Sequence, residues 1–257
     1  MSTQILGRRS NGTFGFYNAL KILGYKPYHQ AEVFANGAHH ARMMDDAVHA
    51  CNFGRGKPFN RQDFDKWLGD YDSITDIPAW FLRDLVAAYP DAKFVLIERD
   101  PEAWRKSIAK TFLPFGEFLA SPAMRLVSLV DPYTCHISRL GEGFGRVLYG
   151  GYTGPDKDKA LMEAVKVYNN HNKTAKELVP PEKLLVIRLE DGLGWEKICQ
   201  FLGHEVPDVP YPRVNDAEGF QKLVMDDFFK AWTKTALKLA SLVVPLIGAS
   251  VWYARQR

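Results

Sequence analysis

An uninterrupted apolar run, Phe94–Ile97, constrains the fold more than any other feature of this 257-residue chain. Such a run predicts a strand that is buried on both faces, which is typical of a parallel sheet. A helical pattern that ends at Pro90 precedes the run, and Pro101, a favoured first residue of a helix, follows it. A strand that lies between two helices in the sequence indicates an α/β fold.

Strands and helices alternate along the rest of the chain as well. Further strands are predicted at Ile5–Leu6, in "YHQAEVF" (28–34) and in "KLLVIRLED" (183–191). The predicted helices are Thr13–Leu23, 38–50, 61–68, 77–89, 101–112 and 160–179, a less regular region at 116–150, and "GWEKICQFLG" (194–203). This order predicts α/β architecture with a mostly parallel sheet.

The composition excludes several classes of protein. Hydrophobic residues make up 46% and charged residues 25% of the chain, which are values typical of globular proteins. The net charge of +3 is too small to indicate a nucleic-acid-binding protein. The three cysteines are widely spaced, which argues against a disulfide framework or a zinc site. Because the first residues show no signal-peptide pattern, we expect a cytoplasmic protein.

The segment Leu239–Ala254 contains no charged residue over 16 positions. Lys238 before it and Trp252 within it suit a membrane interface. We predict a C-terminal apolar helix that either anchors the chain to a membrane, with the protein facing the cytosol, or packs on the surface of its own domain. The expected organisation is one α/β domain at residues 1–232, followed by this helix at residues 233–257.

A polar, glycine-bearing loop follows the first predicted strand and opens the first predicted helix. The backbone N–H groups of Asn11, Gly12 and Thr13 would lie at the positive end of the helix dipole, and this arrangement favours the binding of an anion. Arg8 and Arg9 could add positive charge. The alternative is an ordinary turn in which a Thr or Asn side chain caps the helix.

A second candidate site follows the buried run. Arg99 leaves the end of the predicted strand, where open α/β sheets bind ligands, and Ser107 lies on the following helix. A guanidinium group and a hydroxyl group can both donate hydrogen bonds to a phosphate. Alternatively, Arg99 forms an ion pair with Glu98 or Asp100, and Ser107 is simply an exposed serine on a helix.

These segments stand in a characteristic order. A Gly-Thr loop that opens a helix is followed by "EVF", by "DIPAWF" and "YPDAKFVLIERDPEAWRKS", and late in the chain by "GWEKICQFLG" and "VPYPRVND". In this order they resemble the fungal branch of P-loop sulfotransferases, over about residues 4–220. The resemblance implies a three-layer P-loop sulfotransferase-like fold with a mostly parallel central sheet.

The resemblance also implies the co-substrate 3′-phosphoadenosine 5′-phosphosulfate. In the family, the loop that opens the first helix holds the phosphosulfate, and an Arg at a strand end and a Ser on the next helix hold the 3′-phosphate. The residues implied to bind it here are Arg8, Arg9, Ser10, Asn11, Gly12, Thr13, Arg99, Ser107 and Arg213. The implied reaction moves a sulfuryl group in line to a hydroxyl or amine, and it requires no metal.

A general base must accept the proton of the acceptor. In sugar-type members of the fold this base is a Glu on the strand after the first helix, and Glu32 stands there in the sequence. His29, three residues earlier, is the second candidate, because its reference pKa of about 6.5 lies near neutrality. Alternatively, Glu32 is itself buried in an ion pair, and His29 is an ordinary surface residue.

The loop departs from the family pattern, which usually reads Arg-Thr-Gly-Thr, then any residue, then Ser. Here Ser10 replaces the Arg, Asn11 the first Thr and Gly15 the Ser. The lost Arg normally contacts the phosphosulfate, and losing one donor of this kind can cost about 10²–10³ in rate. Arg8 or Arg9 would have to replace its charge.

Two other functions therefore stay open. The pocket could handle another phosphate ligand, such as a prenyl diphosphate in a terpene cyclase-like reaction, or the chain could be a non-catalytic, membrane-tethered scaffold. The apolar region at about 112–155 suggests an apolar small-molecule acceptor, or else simple helix packing. A homodimer is also compatible with the chain.

His39 and His40 are adjacent and so diverge by about 100° on a helix, which argues against a metal site.

Overall fold

A computed structural model describes residues 3–5 and 12–212, and beyond these residues 226, 229–230, 232–238, 240–241, 245 and 252. In this part of the chain, five parallel strands form one sheet in the order β2-β3-β1-β4-β5. The strands are β1 Thr3–Ile5, β2 Pro27–Tyr28, β3 Ser73–Ile74, β4 Lys93–Glu98 and β5 Leu184–Arg188. The predicted α/β class and parallel sheet are confirmed, whereas the three-layer arrangement stays a prediction.

Helices make up most of the described chain. They are α1 Thr13–Ile22, α2 Gln30–Ala35, α3 Gly37–Phe53, α4 Arg61–Leu68, α5 Leu82–Ala88, α6 Pro101–Leu119, α7 Pro122–Ser128, α8 Pro132–Leu148, α9 Lys157–Leu178 and α10 Trp195–Leu202. Short 3₁₀ turns lie at Ile77–Trp80, Pro181–Lys183 and Leu189–Asp191. The single helix predicted at 77–89 is therefore wrong, because a 3₁₀ turn and α5 meet at Phe81, whose φ is −132°.

The run that most constrained the fold forms β4, and its side chains alternate between two core clusters. Phe94 and Leu96 belong to the larger cluster, which also contains residues of α3, α5, α6, α8 and α9. Val95 and Ile97 belong to a smaller cluster with residues of α1 and α10. All four side chains are at most 1% exposed, so the prediction of a strand buried on both faces is confirmed.

Helix α6 begins where local sequence signals predict. Pro101 occupies its first turn, where the missing N–H costs nothing. The Asp100 side chain accepts a hydrogen bond from the Ala103 N–H at 2.8 Å and so caps the helix. These two residues fix the start of the helix directly after β4, and Arg99 is left at the strand end.

The segment "YHQAEVF" was predicted as a strand, and this prediction is wrong for most of it. Strand β2 ends at Tyr28, and α2 begins at Gln30. His29 causes the change, because its Nδ1 accepts a hydrogen bond from the Ala31 N–H at 3.0 Å and caps the helix. Glu32 therefore lies in the first turn of a helix and not on a strand.

The strand order creates a place for a ligand. The chain passes from β1 inside the sheet to β2 at one edge, and later from β3 to β4 on the other side of β1. Open parallel sheets bind ligands beyond the carboxyl ends of the strands at such a reversal. The residues that follow β1, β3 and β4 are therefore the first to consider as a site.

The described residues beyond 212 are helical. Within the part of the chain that the structure describes, no helix is both long and apolar enough to cross a membrane. The C-terminal apolar helix and a domain boundary after residue 232 stay predictions.

Candidate functional site

The N-terminus of α1 is the first part of the site. Gly12 is its N-cap residue with φ 72°, a left-handed conformation that glycine adopts without strain. A Cβ on Gly12 would also lie 3.0 Å from Leu193 Cδ1 and 3.2 Å from Leu189 Cδ1. The backbone conformation therefore favours glycine here, and a Cβ would also press on two leucine side chains. The N–H groups at the start of α1 have no partner within the helix, as an anion site needs.

Several predicted binding residues lie outside the described part of the chain, namely Arg8, Arg9, Ser10, Asn11 and Arg213.

The late loop, which is the segment that carries "VPYPRVND", is described as far as Pro212, the residue directly before Arg213. A Cβ on Gly15 would lie 3.0 Å from the carbonyl oxygen of Pro212. The late loop therefore packs against the first turn of α1. The Ser of the family pattern would not fit there without a shift, which gives a physical reason for Gly15.

Two further residues follow strand ends at the same edge of the sheet. Asp76 lies two residues after β3, and His29 directly follows β2. The His29 Nε2 and Asp76 Oδ2 atoms are 3.9 Å apart, and both side chains are buried. Asp76 has φ 66° and ψ −45°, and the Ile77 N–H bonds to the Thr75 carbonyl at 2.7 Å, which makes a three-residue γ-turn. Strained backbone of this kind clusters at functional sites.

The Asp76 side chain does not cap the following 3₁₀ turn. Instead its carboxylate faces His29.

Arg99 leaves the end of β4, and Ser107 lies on α6, as the sequence order requires. The Arg99 backbone is held by Tyr168 of α9, whose hydroxyl accepts from the Arg99 N–H at 2.8 Å and donates to the Arg99 carbonyl at 3.0 Å. The next N–H, at Asp100, donates to Glu190 Oε1 at 2.8 Å. The turn between β4 and α6 is therefore fixed from two sides.

Glu32 is tied to α1 by a hydrogen bond. The Tyr17 hydroxyl donates to Glu32 Oε1 at 2.7 Å, and the Asn36 amide donates to Glu32 Oε2 at 3.2 Å. Burial, and then the neighbouring Glu32, raise the pKa of Tyr17 well above its usual value. Tyr17 therefore keeps its proton and acts as the donor. Its ring lies one helical turn after Thr13, on the helix that the anion loop opens.

The rings of Phe14 and His29 contact Tyr17, the partner of Glu32. Phe14 stacks on Tyr17 with a centroid distance of 5.6 Å, and His29 lies 5.3 Å from Phe14 and 5.4 Å from Tyr17. The His29 side chain is only 4% exposed, so the alternative that His29 is a surface residue is wrong. The rings form an apolar wall between the start of α1 and the start of α2.

His40 and the acidic residue Asp45, both on α3, contact other side chains of the protein. His40 Nδ1 is 2.9 Å from the Tyr28 hydroxyl, and Asp45 is fully buried beside His136 and Arg139. Among the described residues, no group of three or more His, Cys, Asp or Glu has the geometry of a metal site.

Sequence reasoning missed Tyr17 and Tyr168. Each contacts its partner from a distant position in the chain, 15 residues from Glu32 and 69 residues from Arg99. A tyrosine on a helix gives no local signal for such a contact. For Glu32, the helical signal was present, because Gln30, Val33 and Phe34 recur at the spacing of a buried helix face.

Comparison with known proteins agrees with the fold and the motif order. A sequence model of the family described as the sulfotransferase domain matches residues 5–220. Ava biosynthesis cluster protein M of Aspergillus versicolor is 33% identical over 261 residues, which cover 100% of this chain and 98% of that protein. The chain therefore belongs to the sulfotransferase-domain family.

Proposed function

We propose that the chain transfers a sulfuryl group from 3′-phosphoadenosine 5′-phosphosulfate to a hydroxyl group of a small apolar acceptor. The observation that carries this proposal is the hydrogen bond of 2.7 Å from Tyr17 to Glu32. It fixes a carboxylate beside α1, the helix that follows Gly12. A base and a candidate anion loop are thus held by the same helix.

The donor is bound by residues at the carboxyl edge of the sheet. The Gly12 and Thr13 amides receive the phosphosulfate, and Arg99 and Ser107 receive the 3′-phosphate. Pro212 lies against the first turn of α1. We assign the positive charge that the family places at position 10 to Arg8, Arg9 or Arg213.

In the reaction, the acceptor oxygen attacks the sulfur atom while the bond from sulfur to the phosphate oxygen breaks. Adenosine 3′,5′-bisphosphate leaves with the electron pair of that bond. Glu32 takes the proton of the acceptor hydroxyl. Amides and cationic groups at the leaving phosphate stabilise its developing charge, which is the main contribution that the protein makes to such a transfer.

His29 is the weaker of the two candidate bases. Its Nδ1 accepts the hydrogen bond that caps α2, so the proton of the neutral ring lies on Nε2, on the side of Asp76. Neither nitrogen then offers a lone pair to an acceptor. We assign His29 the role of a neutral wall residue, with Phe14 and Tyr17, against which an apolar acceptor packs.

Calorimetry and turnover test this proposal together. Wild-type protein should bind adenosine 3′,5′-bisphosphate, and Arg99→Ala should abolish the binding. Glu32→Gln should bind it within about twofold of wild type while turnover falls by about 10²–10⁴. Absence of binding at millimolar bisphosphate would overturn the assignment of the donor, and normal turnover in Glu32→Gln would remove Glu32 as the base.

The altered loop supports a second candidate function. With Ser10 in place of the family's Arg, the cradle could bind a diphosphate in place of a phosphosulfate. Magnesium-dependent release of diphosphate from a prenyl diphosphate, with no bisphosphate binding, would favour a terpene cyclase-like reaction. A stable protein partner with neither activity would favour the scaffold.

Three further predictions accompany the proposed function. They are a cytoplasmic location, contact of residues 233–257 with a membrane surface and formation of a homodimer.

A further inference from the structure

Asn36 lies at the junction of α2 and α3, four residues after Glu32. It is the C-cap residue of α2 and at the same time the N-cap residue of α3. Gly37 follows it with φ 68°, a left-handed conformation that lets the chain turn between the two helices. An asparagine at an N-cap position usually caps its helix through its side chain. The Asn36 side chain makes no such bond to α3, so capping does not explain why asparagine stands here.

The Asn36 side chain instead turns back toward Glu32. Its Nδ2 donates one hydrogen bond to the Glu32 backbone carbonyl at 2.8 Å and one to Glu32 Oε2 at 3.2 Å. The Asn36 backbone N–H donates to the same carbonyl at 2.9 Å. The amide is thus held against α2, and its position relative to the Glu32 carboxylate is fixed.

The two oxygens of the Glu32 carboxylate therefore have donors from two different parts of the chain. Tyr17 of α1 donates to Oε1 at 2.7 Å, and Asn36 donates to Oε2. A glutamate side chain has several rotatable bonds and loses entropy when it is held in one conformation. The two donors meet this cost before an acceptor arrives, and each carboxylate oxygen keeps a second lone-pair site for a proton. A base that is held in one orientation accepts a proton faster than a mobile one.

We propose that Asn36 is a positioning residue of the transfer reaction, which holds Glu32 Oε2 as Tyr17 holds Oε1, so that the carboxylate meets the acceptor hydroxyl in one orientation. This inference rests on the proposed function, in which Glu32 is the base. Asn36 acts through Glu32 and exchanges no proton itself. Because Asn36 is exposed, it can be replaced without opening the core.

Four titratable side chains feel the charge of Glu32 and bear on a test by pH. They are Tyr17 of α1, Tyr28 of β2, Tyr71, and His40 of α3. Burial is the main cause that raises the pKa values of the three tyrosines, so they stay neutral up to at least about pH 10. Burial is also the main cause that lowers the pKa of His40. His40 is present in wild type and in every variant, so a comparison at the same pH removes its contribution.

Asn36→Asp replaces the donor by a carboxylate of the same shape. Two carboxylates in contact share a proton, because like charges so close do not both ionise readily. With 2-naphthol as the probe acceptor, kcat of Asn36→Asp should be at least about tenfold below that of wild type at pH 5.5 and within about threefold of it at pH 8.5. A change that only disturbed the fold would lower kcat equally at both pH values.

Two further variants separate the lost donor from the added charge. Asn36→Ala should lower kcat about 3- to 10-fold at both pH values, as expected for one hydrogen bond, and leave the Kd for adenosine 3′,5′-bisphosphate within about twofold. Asn60→Asp is the control for charge. Asn60 is exposed and caps α4 by accepting from the Asp63 N–H at 3.2 Å, a bond that Asp makes equally well. It should leave kcat unchanged.

A second measurement does not depend on turnover. In ¹H–¹⁵N correlation spectra, the side-chain amide signals of Asn36 are assigned by their loss in Asn36→Ala. They should shift in Glu32→Gln, because a neutral amide then replaces the carboxylate that Nδ2 contacts. In Asp46→Asn, which removes an exposed carboxylate from α3, they should stay in place.

The results distinguish failure of the clamp from failure of the transfer. Equal losses of kcat in Asn36→Asp at both pH values, or Asn36 signals that do not respond to Glu32→Gln, would overturn the positioning role and leave the proposed transfer intact. Wild-type protein that neither binds the bisphosphate nor turns over would contradict the proposed transfer. The hold of Asn36 on Glu32 is then decided by the amide signals alone.

Discussion

The hydroxyl of Tyr168 binds both backbone polar groups of Arg99, accepting from its N–H at 2.8 Å and donating to its carbonyl at 3.0 Å. Tyr168 is fully buried, and its ring stacks on the equally buried Trp104 with a centroid distance of 4.5 Å. The ring is therefore rigid, and α9 fixes the strand end from which the proposed phosphate-binding guanidinium leaves. We assign Tyr168 the role of a positioning residue.

Removal of this hydroxyl tests the role. Tyr168→Phe leaves two backbone groups of Arg99 without a partner, so the free energy of unfolding should fall by about 1–2 kcal/mol in urea denaturation. The Kd for adenosine 3′,5′-bisphosphate should rise about 3- to 10-fold because the turn loosens. Tyr152→Phe, between α8 and α9, is the control and should change neither quantity. Unchanged stability and affinity in Tyr168→Phe would show that the clamp is dispensable.

The sequence predicted those parts of the site that depend on local signals. Arg99 directly follows β4, and Asp100 and Pro101 cap and start α6, so the order strand, Arg, helix and Ser107 follows from neighbouring residues. Gly12 was likewise predicted to lie in the loop that opens α1, whereas its positive φ became known only from the structure.

The rest of the site depends on contacts between distant residues. "AEVF" is short and apolar enough to suit either a strand or a helix, and the His29 cap decided for the helix. The γ-turn at Asp76 has no sequence signal, because only a fixed surrounding structure holds a non-glycine residue at φ 66°. The bond from Tyr17 to Glu32 depends on how α1 and α2 pack.

A pair of glycines separates backbone strain from the effect on the site. Gly12 and Gly24 both have positive φ, 72° and 88°, so alanine at either position should cost about 1–2 kcal/mol of unfolding free energy. A Cβ on Gly24 meets nothing within 4 Å, whereas a Cβ on Gly12 presses on Leu189 and Leu193. Gly12→Ala should therefore be the more destabilised in urea denaturation.

Only one of these variants should affect the donor. Gly12→Ala changes the amides at the start of α1, so we expect at least about a tenfold loss of bisphosphate affinity in calorimetry. Gly24→Ala lies beyond the other end of the same helix and should bind as wild type does. Equal affinities in both variants would contradict the placement of the phosphosulfate at Gly12.

Asp45 links α3 to α8 through a buried carboxylate. Its Oδ2 lies 3.0 Å from His136 Nδ1 and 3.1 Å from Arg139 Nε, and the nearby His49 Nδ1 lies 3.0 Å from Asp45 Oδ1 and 2.9 Å from the Asp45 backbone carbonyl oxygen. Asp45→Asn keeps the size of the side chain but leaves Arg139 without its counter-charge. Because Arg139 is half exposed, we expect a loss of about 2–3 kcal/mol in urea denaturation, less than for a fully buried pair.

The next residue in the chain provides the control for Asp45. Asp46 is exposed on the same helix, so Asp46→Asn should change the unfolding free energy by less than about 0.5 kcal/mol. An equally small effect of Asp45→Asn would mean that apolar packing alone holds α3 against α8.

The protein should lose stability in alkali. Burial, and next the nearby Asp84, raise the pKa of the Cys51 thiol to about 12, and burial and the Glu117 charge raise the pKa of Tyr149 to about 12. In the unfolded chain these groups titrate near their ordinary pKa values, about 8.5 for Cys and 10 for Tyr. Between these values and pH 12 the unfolded state therefore binds fewer protons than the folded state, so stability falls as pH rises.

Thermal unfolding across pH checks the sign and the window. Below about pH 7.5 both groups are protonated in both states, so the Tm should carry no contribution from them; above about pH 9 it should fall steadily. In the double variant Cys51→Ala, Tyr149→Phe these two groups no longer titrate. Its Tm should therefore fall less steeply than that of wild type between pH 9 and about 11, whatever its value at neutral pH. Parallel Tm curves for the two proteins over this range would show that the buried thiol and phenol do not cause the alkaline instability.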